Sequence, residues 1–325
     1  MSNLNETLNS SNDKSTQGML NAAAFAGLFG TTISDVVSKC GDLIESFDFQ
    51  YEVLPKEEQD VVMASVIEAI EDGIFKVSGK VRKTDWENGW QENLDAFIAS
   101  GCDISTLAPK YISKYPVSRL FSRYVKPRDT QFELNFYTVY RQYLFSTYLK
   151  PFKNIFEFGC GTGYNLAILN SLFPEKRLLG LDWAESSVKI ANSLGAHLNA
   201  PLSGRQFDYF NPDFSLVIPE SSVLITLNSL EQIGADHTEF LNFIIDKKPA
   251  LCINAEPFVE MYDELNQVDA LAILYHNKRN YLSGYYDSLK KLESECKIVI
   301  DKAQRIPFGN LYHEGYSYIV WRVIA

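Results

Sequence analysis

Hydrophobic positions recur at helical spacing along the first part of the chain. Between Glu57 and Phe75 the apolar residues return every three or four positions, as in an amphipathic helix. The stretches Trp86 to Ala99 and Phe132 to Tyr148 have the same period, and prolines interrupt the connection between them. Residues 18–150 are therefore predicted to form an all-helical region. Residues 1–17 are rich in Asn, Ser and Thr and lack aromatic side chains, so they are predicted to be a disordered tail.

The pattern changes at Lys153, where short apolar runs begin to alternate with helical stretches. Such alternation is typical of a mostly parallel sheet with helices on both faces. Because no helical stretch separates the last two runs, the final strand is predicted to pair antiparallel. Residues 151–325 are thus predicted to form one α/β domain. Its seven strands are expected at residues 154–158, 177–181, 206–210, 223–227, 250–254, 297–300 and 316–324.

Composition narrows the range of functions. The 325 residues include 41 acidic residues and 30 Lys or Arg residues, a formal charge of −11. No cationic block is present that would displace counterions from a nucleic acid, so we expect neither a nucleic-acid nor a membrane partner. Five scattered cysteines without a CxxC pair argue against a disulfide framework and a zinc site. The sequence shows no run of ~18 apolar residues and no basic leader, so a cytoplasmic location is expected.

The strongest chemical signal is FEFGCGTGYN, residues 156–165, which follows the first predicted strand of the α/β domain. Gly159, Gly161 and Gly163 allow backbone amides to approach a ligand, and the helix that follows adds partial positive charge. Their spacing, GxGxG, differs from the GxGxxG of dinucleotide sites. Glu157 would repel a pyrophosphate and favour a cationic ligand, such as the ammonium group of S-adenosylmethionine (SAM).

Acidic residues also end the next two predicted strands. Asp182, at the second strand, is placed to accept from ribose hydroxyls, and Trp183 beside it is placed to pack on an adenine. Asp208 and Tyr209, at the third strand, are placed to accept from the adenine amine and to cover its face. A tight turn without a ligand would explain the glycines, but it would not explain three acids at three successive strands.

The segment from Glu157 to Asp208, with the order of strands after it, resembles the Rossmann-like (class I) SAM-dependent methyltransferases over about residues 150–325. EFGCGTG is similar to the first motif of that family, and Asp182 falls where its ribose-binding acid belongs. Asn228 lies in a segment similar to the rim of the family's cofactor and substrate site. The resemblance implies a seven-stranded sheet, SAM as cofactor, S-adenosylhomocysteine as product and methyl transfer as the activity.

Three residues are candidates for catalysis. Glu231 is the first choice for orienting or deprotonating the acceptor, because it follows the fourth predicted strand by three to four residues. Glu256 follows the fifth strand, and His313 lies in the turn before the last strand, where a histidine would act near neutral pH. A solvated loop or a surface turn is the alternative for each. The sequence contains no cluster of metal ligands, so no metal is predicted.

Contacts to the acceptor are predicted outside the glycine motif. Arg119, Tyr124 and Arg128 belong to the densest cationic and aromatic stretch of the chain, where a guanidinium can bind an acid group. Tyr275 and Tyr285 belong to the insert after the fifth strand, and their rings suit a sugar or a phenol. The alternative for the first three is a helix surface paired with nearby Glu and Asp, and for the two tyrosines of the insert it is packing on the N-terminal helices.

These observations predict a SAM-dependent methyltransferase with a helical N-terminal cap, acting on oxygen or nitrogen of a small-molecule or saccharide-type acceptor. Three alternatives stay open: a peptide or protein acceptor, a non-catalytic SAM-binding regulatory or assembly subunit, and an NAD enzyme. A wide groove would favour the peptide acceptor, and a cavity under the cap would favour a metabolite. The sequence leaves the oligomeric state undetermined, with a homodimer among the options.

Overall fold

Two β-sheets organise residues 16–324, the part of the chain that the computed structural model describes. Residues 1–15, most of the predicted tail, lie outside the described residues, whereas Thr16 and Gln17 belong to a strand. The strands are β1 (Thr16–Met19), β2 (Gln50–Val53), β3 (Ser118–Leu120), β4 (Arg123–Pro127), β5 (Asn154–Phe158), β6 (Arg177–Asp182), β7 (Leu202–Gln206), β8 (Ser222–Leu227), β9 (Leu251–Ala255), β10 (Ile298–Gln304), β11 (Phe308–Gly309) and β12 (Tyr318–Val323). The α-helices are α1 (Ala22–Phe29), α2 (Ile33–Ser46), α3 (Lys56–Glu71), α4 (Lys83–Ala99), α5 (Phe132–Tyr148), α6 (Tyr164–Leu172), α7 (Glu185–Leu198), α8 (Thr238–Lys247), α9 (Gln267–Arg279) and α10 (Tyr285–Ser294).

The larger sheet has seven strands in the order β10-β12-β9-β8-β5-β6-β7. Strands β5 to β9 pair parallel, while β12 pairs antiparallel with both β9 and β10. Every residue of β8 and β9 is buried, as expected for apolar runs in a sheet that helices cover on both faces. The predicted α/β fold, with a mostly parallel seven-stranded sheet and an antiparallel last strand, is confirmed.

One strand of this sheet lies earlier than predicted. The prediction placed it at residues 206–210, but β7 ends at residue 206, and Asp208 and Tyr209 follow in a turn. β7 is an edge strand with the sequence LSGRQ, so it lacks the apolar run that marks the central strands. The apolar residue Phe207 comes after the strand and packs edge-on against Phe158, with ring centroids 4.7 Å apart.

The prediction that residues 18–150 are all-helical is wrong. This region has five helices, but it also contributes β1 to β4 to a sheet of order β1-β2-β4-β3-β11. These strands have only three to five residues, too few to show a two-residue period in the sequence. Strand β11 comes from the C-terminal part of the chain and pairs with β3. The N-terminal region and the α/β domain therefore share a sheet.

Helix α5 packs the two regions together. Most of its residues are buried, and Phe136 stacks on Phe308 of β11 with ring centroids 3.8 Å apart. The same hydrophobic core includes Phe25 of α1 and Ile155 of β5, so it is continuous across both regions. Within residues 16–324, no helix combines the length and apolar character that crossing a bilayer requires.

Candidate functional site

A cavity of about 470 Å³ lies at the carboxyl ends of the parallel strands. Asp182 at the end of β6 and residues after β5, β7 and β8 line one part, which we name the loop part: Gly159, Gly161, Asp182, Tyr209 and Asn228. Open α/β sheets bind ligands at this edge. The aromatic part of the cavity is lined by side chains from distant segments: Phe75, Tyr115, Tyr275, Arg279, Tyr281, Tyr312 and His313.

Two glycines of the loop part lie close to other groups, and at Gly159 the approach is too close for a side chain. Gly159 has φ +70°, and a Cβ there would lie 2.3 Å from Cβ of Ser229. Gly161 has φ +51°, and a Cβ there would lie 3.1 Å from the ring of Trp90 in α4. Gly163, also with φ +70°, precedes α6 and does not line the cavity. The first two glycines thus leave space at the ligand-facing backbone, and the third allows the helix to begin.

Asp182 connects the glycine segment to the next strand. Its side chain is buried and accepts from the backbone N–H of Gly161 (2.9 Å) and of Ala184 (3.0 Å). Burial raises the pKa of Asp182 to about 6, against the effect of these backbone hydrogen bonds. Trp183 lines the cavity beside it. Asp182 therefore holds the loop in place and also faces the cavity.

Glu157 lies beneath the cavity. One carboxyl oxygen accepts from Asn165 Nδ2 (2.7 Å), while Oε2 is buried and has no hydrogen-bond partner among the described residues. Burial raises the pKa of Glu157 to about 8. Asn165, which lines the cavity, also accepts from buried Arg141 (3.1 Å), whose guanidinium lies between the rings of Tyr137 and Tyr164. The sequence analysis missed Asn165, although it belongs to the glycine segment.

Residues after β7 and β8 complete the loop part. The hydroxyl of Tyr209 bonds to Oγ of Ser229 (2.9 Å), and Asn228 lines the cavity with φ +52°. Asp208 does not line it: its carboxylate accepts from a backbone N–H in its own turn and lies 4.0 Å from Nζ of Lys83. The structure therefore does not bring Asp208 to the cavity with the other predicted loop residues, because β7 ends four residues earlier than expected.

The two predicted catalytic acids occupy different environments. Glu231 lines the cavity and accepts from Gln232 Nε2 (2.9 Å), and removal from water raises its pKa to about 7. Glu256 is fully buried, does not line the cavity and accepts from the backbone N–H of Ser229 (3.1 Å). The structure thus places Glu231 where it can meet an acceptor. The catalytic prediction for Glu256 is wrong, since this residue supports the loop after β8 from below.

His313 lines the cavity and is paired with a second histidine. Its Nδ1 lies 3.2 Å from Nε2 of His276 in α9, and both rings are buried. Burial lowers the pKa of His276 to about 3 and the pKa of His313 well below its usual value. Both imidazoles are therefore neutral near pH 7, contrary to the expectation that His313 acts there by titration, and its burial also contradicts the alternative of a surface turn.

Of the predicted acceptor contacts, Tyr275 alone lines the cavity, where it stacks on Tyr312 with ring centroids 5.0 Å apart. Arg119 is fully buried in an ion pair, and Tyr124 is buried in the five-stranded sheet. Two others also lie away from the cavity: Arg128 pairs with an acid at the surface, and Tyr285 lies in the core of the α/β domain. The structure places these four side chains away from the cavity, contrary to the prediction: the two arginines pair with carboxylates of the same chain, and the two tyrosines pack in apolar surroundings.

Helix α4 covers the loop part. Trp86 and Trp90 stack on its cavity face with ring centroids 5.1 Å apart. Between them, Glu87 accepts from the backbone N–H of Glu185 (2.7 Å) and of Ser186 (3.0 Å) at the start of α7. The N-terminal region is thus attached to the α/β domain at the cavity. In residues 16–324, no group of three or more His, Cys, Asp or Glu side chains is arranged to hold a metal ion.

No protein-family model and no curated protein match the chain, whereas solved structures do. Human N-acetylserotonin methyltransferase in complex with SAM is 15% identical, with a TM-score of 0.40 over 59% of this chain and 56% of that chain. An O-methyltransferase of neocarzinostatin biosynthesis, in complex with SAM and 2-hydroxy-5-methyl naphthoic acid, is 12% identical, with a TM-score of 0.41 over 59% and 58%. The N,N-8-amino-8-demethyl-D-riboflavin dimethyltransferase of Streptomyces davawensis is 15% identical, with a TM-score of 0.38 over 60% and 57%. The matches span less than two thirds of these chains, and the likeness concerns the fold.

Proposed function

We propose that the protein is a SAM-dependent methyltransferase that acts on oxygen or nitrogen of a small molecule. The observation that supports this most directly is the composition of the cavity. A glycine segment and the acid Asp182 line one part, and aromatic rings with Glu231 and His313 line the other. The two parts suit a cofactor and an acceptor that meet inside one cavity. A cavity covered by α4, rather than a wide groove, favours a small acceptor over a peptide.

The residues of the loop part fit SAM. The backbone at Gly159 and Gly161 is open to a ligand, and Asp182 offers a buried carboxylate of the kind that accepts from ribose hydroxyls. Oε2 of Glu157 is buried and has no hydrogen-bond partner in the described part of the chain, so a cationic ligand or an intervening water would satisfy it. A pyrophosphate would add negative charge beside these carboxyl groups, so the two acids at this part of the cavity favour SAM over NAD.

SAM, when bound, supplies an electrophilic methyl group. The chain itself must hold the acceptor atom in line with that group, and well-oriented intramolecular reactions gain about 7–11 kcal/mol in this way. A base that takes the proton of the acceptor contributes about 10²–10⁴-fold. Glu231 fits this second role, because it faces the cavity and its pKa of about 7 lies near the working range of a general base.

Thermal unfolding in the presence of SAM, S-adenosylhomocysteine and NAD tests the proposal. A ligand at 100 times its Kd stabilises the folded state by about 2.7 kcal/mol. We expect Tm to rise with both adenosyl sulfur compounds and to stay unchanged with NAD. A rise with NAD alone, or with none of the three, would overturn the proposal.

The variant Asp182→Asn locates the binding site. It removes one charged acceptor, so SAM should bind about 1–3 kcal/mol more weakly, as measured by calorimetric titration. Asp208→Asn is the matched control, because Asp208 does not line the cavity. Equal affinities of the two variants would contradict the assignment of Asp182.

A further inference from the structure

Arg279, the last residue of α9, is a half-buried cation in the aromatic part of the cavity. Among the described residues, no carboxylate oxygen forms a salt bridge with it, unlike the cavity-lining Arg82, which pairs with Asp85 at 2.7 Å. Nη1 of Arg279 donates to the hydroxyl of Tyr275 (2.9 Å), and within residues 16–324 its buried Nε has no hydrogen-bond partner. A guanidinium partly removed from water without a counter-charge is unfavourable unless a ligand supplies that charge.

Three aromatic rings surround this guanidinium. Its Cζ lies 4.5 Å from the ring centroid of Tyr281, 5.6 Å from that of Tyr275 and 5.7 Å from that of Phe75. All three rings line the cavity. Rings against its faces hold a guanidinium in one orientation and leave its N–H groups, which lie in its plane, for polar partners.

The charges nearby favour an anion. The acids that line this part are Glu133 and Glu231; burial raises the pKa of both, and at Glu231 the positive charge of Arg279 acts against that rise. Lys114 adds a second cation to the lining. The neighbouring histidines are neutral, as described above. In a chain with a formal charge of −11, this part of the cavity therefore carries the opposite local charge.

We propose that the acceptor is a planar aromatic molecule with a carboxylate group, and that Arg279 binds this carboxylate. The inference rests on the proposed methyltransferase function and narrows its acceptor. A guanidinium and a carboxylate form two parallel hydrogen bonds in one plane. Phe75, Tyr275 and Tyr312 pack on one another and line the cavity, and such an aromatic wall suits a flat apolar ring. A saccharide would instead need hydrogen-bond partners for several hydroxyls.

Calorimetric titration of the full chain, saturated with S-adenosylhomocysteine, tests this assignment. The probes are hydroxybenzoates, aminobenzoates and hydroxynaphthoates, each compared with its neutral amide, and glucuronate as an acid without an aromatic ring. We expect at least one aromatic acid to bind at least about tenfold more tightly than its amide, because a charge-assisted pair is lost in the amide.

Variants of α9 assign the preference to one side chain. Arg279→Gln should bind the acid and its amide equally. Arg279→Lys should retain part of the preference, since lysine keeps the positive charge but lacks the planar pair of N–H donors of a guanidinium. Lys278→Gln is the matched control, because Lys278 is the exposed neighbour on the same helix. The affinity of each variant for S-adenosylhomocysteine shows that the cofactor part of the protein is folded.

Several results would overturn the inference. They are equal binding of acids and amides by the unmodified protein, a preference that survives in Arg279→Gln, tighter binding of glucuronate than of every aromatic acid, and no binding of any aromatic acid. The comparison of acids with amides uses the unmodified protein, so it does not depend on the folding of a variant. If S-adenosylhomocysteine itself does not bind the unmodified protein, the proposed function fails instead.

Discussion

The loop part and the aromatic part of the cavity are built in different ways. The loop part consists of residues directly after successive parallel strands, and backbone atoms and short hydrogen bonds define it. The aromatic part is assembled from side chains at positions such as Phe75, Tyr115, Arg279 and His313, which lie far apart in the chain. A site defined by backbone atoms suits a cofactor that many reactions share. A site assembled from distant side chains suits an acceptor that is particular to one enzyme.

This difference predicts how each part responds to change. Close backbone approaches in the loop part leave no room for an added methyl group, so a small substitution there has a large effect. Rings in the aromatic part would stabilise a ligand through van der Waals contact. A smaller side chain reduces that contact area gradually and does not abolish it. Experiments on residues of each part, and on a residue between them, therefore test the comparison.

The largest effect is expected at Glu231, which lines the cavity after β8. If Glu231 takes the proton of the acceptor, Glu231→Gln lowers kcat by about 10²–10⁴-fold and leaves the affinity for SAM unchanged. A carboxyl with a pKa of about 7 is protonated below pH 7, so kcat of the unmodified protein should rise with pH through about 7. The variant should lack this rise in a pH series of initial rates.

Exposed Glu239 in α8 provides a matched control for this experiment. Glu239→Gln should reproduce the rate and pH profile of the unmodified protein. A pH profile of Glu231→Gln that keeps the rise through pH 7 would show that another group takes the proton.

The next largest effect is expected at Gly159. In Gly159→Ala the added Cβ would meet Ser229, and its φ of +70° is unfavourable for alanine. Left-handed backbone costs about 1–2 kcal/mol and overpacking costs about 1–3 kcal/mol. We expect a loss of roughly 2–5 kcal/mol, divided between the free energy of unfolding and the binding of SAM, in denaturant unfolding and calorimetric titration.

Gly89 in α4 is the matched control for this substitution. A Cβ at Gly89 would have no heavy atom within 4 Å, and the residue has no positive φ. Gly89→Ala should stabilise the protein by about 0.5–1 kcal/mol, because alanine favours a helix interior. Unchanged stability and SAM affinity in Gly159→Ala would contradict the close approach at the loop part.

The smallest effect is expected at Glu87, which attaches α4 to the start of α7. Glu87→Ala removes the side-chain acceptor for two backbone N–H groups, and the loss of a helix cap costs about 1 kcal/mol. A lower Tm, with little change in SAM affinity, is the expected result. Glu92→Ala, at an exposed position of the same helix, should leave Tm unchanged. Equal Tm values for both variants would show that the cap does not stabilise the contact.

Much of the fold could be predicted from the sequence where elements are long or apolar. The predicted helix at residues 132–148 coincides with α5, and the helix predicted to follow the glycine segment is α6. The edge strand β7 was misplaced, because an edge strand with polar residues lacks an apolar run. The strands of the five-stranded sheet were missed, because strands this short show too little periodicity in the sequence and their pairing partners lie elsewhere in the chain.

The candidate site divides in the same way. The structure places Gly159, Gly161 and Asp182 in the cavity, as their motif predicted, because a glycine-rich turn after a strand is a local property. The sequence analysis chose Arg119 and missed Arg279, although both are arginines near tyrosines. What separates them is the carboxylate of Asp269, which lies 2.8 Å from Arg119, 150 positions away in the chain.

The sequence by itself determined the alternation of strands and helices, the backbone freedom of the glycine segment and the acid after the second parallel strand, because these depend on neighbours within a few residues. Only the tertiary structure decided which distant side chains meet. It paired His276 with His313, attached Glu87 to α7 and placed Glu231 at the cavity, partly removed from water. Burial and charge around a group arise from every element packed against it, so its pKa and its partners follow from the assembled chain.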